Sequence, residues 1–211
     1  MKSRLPRRRS CQVALVAVAW LALIPMVRAG SVSSQADPTD RPSADLLAFL
    51  PVAAAFGAGW VNVGDPSPLL PDPAFRDGAF AAYGGPAGAR VTLTALRLTD
   101  DRVAIRAAWE AATKLYDRHR TDLAYDPADA EALAALLPPP GCDEAKRIEG
   151  PSERDTFPTG VTLCAAADPT LILLAVASGD VAGEGGYRAA DAVIATSLAA
   201  TAGAVSPTAG P

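Results

Sequence analysis

The chain has 211 residues, half of them hydrophobic, with 19 Lys and Arg against 23 Asp and Glu. That length allows one domain with tails, and the hydrophobic share excludes a fully disordered chain. The lack of a G-x-y period excludes a collagen helix, and the surplus of Arg over Lys beside abundant Ala follows GC-rich coding, so Arg alone marks no binding surface.

Lys2, Arg4, Arg7, Arg8 and Arg9 open the chain with positive charge, and the first acid is Asp37. An apolar run from Val13 to Val27 follows, interrupted by Pro25, and Val27-Arg28-Ala29 places small residues where a secretory peptidase cuts. Residues 1–29 therefore have the pattern of a signal peptide, with cleavage expected after Ala29. The alternative is a retained anchor, because about fifteen apolar residues approach the roughly seventeen that span a bilayer. Cys11 precedes the apolar run and so is not a lipid-attachment site, and Ser10-Cys11-Gln12 continues Arg8-Arg9 poorly for twin-arginine export. No later stretch is long enough to span, so no membrane span is expected once the leader is gone. Cleavage removes six positive charges and no negative one, leaving 13 against 23 and a formal net of −10. An acidic exported domain is repelled by nucleic acid and by anionic lipid surfaces, so no nucleic-acid partner is expected; the competing reading is that the charge serves solubility alone.

Residues 30–42 are a polar linker with nothing to bury. A single domain is expected over 43–201, enough chain for one core, and 202–211 form a Gly/Pro/Thr tail. Ser43 can cap a short helix carrying Leu46, Leu47 and Leu50, limited by Pro51. Gly59 to Val63 suits a strand, and Pro66, Pro68, Pro71 and Pro73 punctuate the loop after it. Ala79–Tyr83 and Ala89–Leu98 flank a Gly84-Gly85-Pro86-Ala87-Gly88 turn and predict a hairpin. Asp100 or Asp101 then caps a helix whose apolar face is Ile105, Ala108, Trp109, Ala112 and Tyr116. Asp126 and Pro127 start a second helix, with Leu133, Leu136 and Leu137 as its apolar side, closed by Pro138-Pro139-Pro140-Gly141.

Cys142 and Cys164 are the cysteines left after cleavage, and in an oxidising compartment an isolated pair is most simply a disulfide. Such a bond is worth about 3 kcal/mol in the chain-entropy model. A catalytic thiol with His119 as base would need a further orienting group, and two Cys with one His make too poor a set for zinc, so no metal or other cofactor is expected. Val161–Ala167 and Thr170–Ser178 are joined through Asp168-Pro169, and Leu171 to Val176 is apolar on both faces, as in a central strand. A helix follows from about Tyr187 to Ala200. Hairpins followed by helices predict an α+β fold, an antiparallel sheet built from hairpins with helices packed mainly on one face.

The glycine loop between that strand and helix, Gly179 to Gly186, holds the candidate ligand residues Asp180, Glu184, Gly185 and Gly186. A strand, a glycine loop and a helix N-terminus can form an anion site. Yet Gly186 is followed by Tyr187-Arg188 in place of the P-loop Lys-Ser/Thr, Arg188 takes the third glycine of the dinucleotide pattern, and Asp180 and Glu184 would repel phosphate. A plain connection is the competing reading. Asp126, Asp129 and Glu131 sit in a helix first turn, where carboxylates offset the dipole, and they lack the spacing of a calcium loop. His119, between Arg118 and Arg120, fits a helix C-terminus. No Gly-x-Ser-x-Gly elbow occurs. Trp60, Trp109, Phe80 and Tyr116 are candidates either for a ligand cleft or for the core.

The leader, the Leu-Pro segment before Gly59-Trp60, the hairpin and the long Ala-rich helix together resemble uncharacterised secreted proteins of GC-rich bacteria, over two-thirds of the mature chain. The resemblance implies no activity and carries over no functional residue. No nucleophile, metal set or phosphate loop emerges, so the expected function is a non-catalytic secreted or cell-envelope domain that binds an envelope partner or small ligand. The alternatives are an extracytoplasmic hydrolase using carboxylates, with Asp180 and Glu184 as first candidates, and a membrane-anchored sensor domain if the leader is retained.

Overall fold

A computed structural model describes residues 42–70, 72–98, 102–124, 126–152 and 157–204. The leader, most of the linker, the Asp100/Asp101 cap and residues 205–211 lie outside the described residues. Four α-helices accompany the strands: α1 (Ala44–Leu47), α2 (Arg102–Asp122), α3 (Pro127–Ala134) and α4 (Gly186–Ala204). The strands are β1 (Val61–Asn62), β2 (Ser67–Pro68), β3 (Phe75–Gly84), β4 (Arg90–Leu98), β5 (Cys142–Gly150), β6 (Thr159–Ala166) and β7 (Leu171–Ser178). They form one seven-stranded sheet in the order β1-β3-β4-β7-β6-β5, with β2 also on β3, and every strand pair is antiparallel. Two meanders, β3-β4 and β5-β6-β7, thus meet where β4 pairs with β7. The α+β class and antiparallel sheet are as the hairpin pattern predicts, and β7, flanked by β4 and β6, is the central strand its apolar run suggests.

The helices do not share one face. Side chains alternate across a strand, so the two core clusters sort the residues by face. Val91, Leu93, Ala95, Leu171, Leu173 and Ala175 pack with α1 and with Ala189, Ala190, Val193 and Ile194 of α4. Leu96, Leu98, Ile172, Leu174, Val161 and Leu163 pack with Ala108, Ala112 and Tyr116 of α2. The sheet is a filled layer between α4 and α2, because strands apolar on both sides leave two faces to cover. The shared strand–strand–helix order therefore does not place its two long helices alike.

Local departures have identifiable causes. A register shift between Phe75 and Asp77 moves Phe75 opposite Leu98, onto the α2 face, whereas Ala79, Ala81 and Tyr83 face α4. Ser43 caps α1 through a bond from Leu46 N at 3.4 Å. Of the three leucines expected to line α3 only Leu133 is buried; the helix ends at Ala134, which leaves Leu137 89% exposed. Backbone helix continues through 202–204, past the predicted start of the tail. Strand pairing around Gly59–Val63 is limited to Val61 and Asn62.

Strand β5 has no counterpart in the sequence reading, because Cys-Asp-Glu-Ala-Lys-Arg-Ile-Glu-Gly lacks an apolar alternation. Its charges are satisfied from opposite sides. Toward α2, Lys146 lies 5.5 Å from the Trp109 ring centroid and donates to Thr113 Oγ1. Toward α4, Arg147 Nε donates to both oxygens of Asp191 at 3.0 and 2.8 Å, and its second nitrogen reaches Leu137 O at 2.8 Å. Thr162 Oγ1 completes the Asp191 shell at 2.7 Å. Cys142 and Cys164 are bonded, tying the start of β5 to β6 as their isolation suggests.

Candidate functional site

At the end of the sheet where β3 turns into β4 and β7 leaves, a cleft of about 420 Å³ opens beside Trp60. A short 3₁₀ turn, Ala53–Phe56, supplies Phe56, which sits 5.5 Å from Trp60 and 4.9 Å edge-on to Tyr83, measured between ring centroids. Tyr83 donates its hydroxyl to Pro51 O at 2.9 Å, and burial pushes its phenol up to about 12, so it stays a neutral donor that pins the 3₁₀ turn. Gly85 is required for this packing, since a Cβ there would come within 2.7 Å of the Trp60 ring. Ala89 lies at the cleft, Pro86 and Ala87 form one rim, Phe157 another, and Asp180, Ala182 and Gly183 the third.

Two of these rims are the same turn. Ala87-Gly88 and Ala182-Gly183 both carry left-handed backbone at both positions, φ being 53°, 87°, 55° and 86°. Each turn closes with a 3.0 Å bond, Ala89 N to Pro86 O and Glu184 N to Val181 O. These are type I′ turns, whose first central position favours Asn, Asp or Gly. Among the described residues Ala87 and Ala182 are the only non-glycines with left-handed φ, and both line this cleft. Each costs on the order of 1 kcal/mol, strain that concentrates at functional sites.

The structure divides the predicted loop residues. Asp180 faces the cleft; its Oδ1 accepts from Gly183 N at 2.7 Å, which fixes the carboxylate across the turn. Glu184 and Gly185 are exposed on the far side of that turn, outside the cleft lining. Gly186 is buried at the start of α4, so close to β6 that a Cβ on Gly160 would lie 2.1 Å from its carbonyl oxygen. The helix N-terminus beyond it is already occupied: Glu149 accepts from Tyr187 N at 2.9 Å. A carboxylate of the protein thus holds the place an anion would take. Of the four candidate aromatics, Trp60 borders the cleft, Phe80 is half-buried on β3 opposite Thr94 and outside the cleft lining, Tyr116 is core, and Trp109 carries Lys146. Phe56 and Phe157 escaped the sequence reading; the alternation of aromatic and glycine in Phe56-Gly57-Ala58-Gly59-Trp60 was the available signal.

Asp180 is the one carboxylate among the described residues lining the cleft, whereas a glycosidase-type pair needs two facing each other. Among the described residues no cluster of three His, Cys, Asp or Glu is placed to hold a metal. Both cysteines that could have supplied a thiol are in the disulfide. His119 lies on α2, away from the cleft, and burial holds it below the usual imidazole range despite Asp122 nearby. The native state therefore binds fewer protons at this site than the unfolded chain. Its contribution is fully present above about pH 6.5 and is lost as the pH falls toward the native value. Urea midpoints measured from pH 7.5 to 5.5 should decline in the wild type, and His119→Gln should flatten that decline.

What fold and site define is an antiparallel α+β domain with helices on both faces and one aromatic, single-carboxylate cleft. No protein-family model, curated protein or solved structure matches the chain.

Proposed function

We propose that this protein is an exported, non-catalytic domain of the cell envelope that holds a small ligand in the aromatic cleft beside Trp60. The observation that carries the reading is the cleft itself. Its volume of about 420 Å³ falls in the range of small-molecule sites, its walls are mainly apolar, and a single fixed polar group orients the occupant. The disulfide and the pattern of residues 1–29 support export, since a bond of this kind persists in oxidising compartments. Among the described residues no helix is long and apolar enough to cross a membrane. Binding without chemistry accords with a cleft whose described lining offers one carboxylate and no second carboxylate, thiol or imidazole to act with it.

The test is titration of the disulfide-intact protein with the neutral fluorophore N-phenyl-1-naphthylamine. One saturable site with enhanced emission is expected, together with quenching of Trp60 measured in a Trp109→Phe background that lacks residues 1–29 and with them Trp20. Ala58 is an exposed residue of the cleft lining, so Ala58→Trp should fill the mouth and abolish the saturable signal without lowering stability. Equal binding by the wild type and Ala58→Trp would refute the site.

A further inference from the structure

We infer that the cleft selects a small cation, an apolar body of roughly one aromatic ring bearing a single ammonium group. The inference rests on the cleft being the ligand site and names the class of molecule it takes. Asp180 is the one charged side chain among the described lining residues, so any charge recognition there favours a positive ligand. Its carboxylate is positioned before a ligand arrives: Oδ1 is held by Gly183 N, and Oδ2 makes no hydrogen bond among the described residues. The aromatic side chains Phe56, Trp60 and Phe157 line the same cleft, and a ring face presented to the ligand attracts ammonium and repels anions.

The N-terminus of α4, which would favour an anion, is neutralised by Glu149. The surplus of 23 acids over 19 bases in the whole chain, which widens once residues 1–29 are removed, draws cations and slows the approach of anions. The carboxylate and the rings line the same volume, so binding needs no rearrangement to bring them together. Of the other described concavities, the one beside Trp109 carries Arg106 together with Asp143 and Glu144, and the one along β3 and β4 carries Arg90 and no carboxylate.

Three probes of one frame separate the possibilities: 2-phenylethylammonium, 2-phenylethanol and phenylacetate, each titrated by calorimetry and by displacement of N-phenyl-1-naphthylamine. The expected order is ammonium first, alcohol about fivefold weaker, in keeping with an exposed charge pair, and phenylacetate weakest. Asp180→Asn keeps an oxygen to accept from Gly183 N while removing the charge. It should bring the ammonium down to the affinity of the alcohol and leave the alcohol unchanged. Raising salt from 10 to 500 mM in the wild type should reproduce that convergence without any substitution. Equal affinity for ammonium and alcohol, or tighter binding of phenylacetate, would overturn the cation inference while the cleft stands. If none of the three displaces the fluorophore and the fluorophore itself does not saturate, the cleft reading falls with it.

Discussion

Arg147→Met should lower the free energy of unfolding by about 3 kcal/mol, a loss of about 10 °C in melting temperature for a domain of this size. The Arg147 side chain is 2% exposed and its partner Asp191 21%, so the pair lies almost wholly between the sheet and α4. Removing the guanidinium strands a carboxylate that keeps one donor, Thr162, and leaves Leu137 O without its bond from Arg147. The penalty belongs mainly to the stranded charge. Arg147→Met combined with Asp191→Leu should therefore recover more than half of the loss, because two apolar side chains of similar reach need no counter-charge. Chemical denaturation of the two single variants and the double variant completes the cycle. A double variant as unstable as the sum of the singles would show that the ion pair does not couple β5 to α4.

Breaking the Cys142–Cys164 bond is the second large effect. The bond joins residues 22 apart in sequence and closes a loop that contains all of β5. Chain entropy makes its loss worth about 3 kcal/mol. The consequence is also local, since β5 is an edge strand whose pairing to β6 begins beside the bridge, at Cys142 and Ala166. A Cys142→Ala/Cys164→Ala protein should melt about 10 °C lower, and its earliest loss of amide protection should fall on β5. Intact mass measured with and without reduction checks the oxidation state directly, expecting a gain of two hydrogens, and the same spectrum tells whether residues 1–29 have been removed. Free thiols together with a retained leader would argue against export.

The disulfide and the ion pair hold the same strand, and that strand, like the two-residue β2 inside the expected Pro-punctuated loop, is one the chain's local patterns did not announce. Periodicity identifies segments that supply their own apolar faces: β3, β4, β6 and β7 by alternation or by runs apolar on both sides, α2 and α4 by three- and four-residue spacing. Cys142–Gly150 offers neither signal. It is a strand because Trp109, Asp191 and the α4 N-terminus each accept one of its charged side chains. All three partners are distant in sequence, so no window of ten residues contains the reason.

The cleft was partly visible in the same way. Asp180 and Trp60 stood out as a carboxylate in a glycine loop and an aromatic after Gly59, but they are 120 positions apart and nothing local relates them. Glu184, Gly185 and Gly186 stood out equally, yet none of the three lines the cleft. Ala in a left-handed conformation leaves no trace in composition at all.

From its residues alone this protein declares most of its long strands and helices, its two-sided central strand β7 and the one pair of cysteines beyond the leader pattern. Each of these follows from backbone geometry that repeats every two or 3.6 residues, or from simple elimination. Which face each helix covers, the existence of β5 and the meeting of Asp180 with Trp60 arise only in the folded chain. They depend on β4 pairing with β7 across more than seventy residues, a contact whose energy comes from burying both faces of one sheet and is legible in no segment by itself.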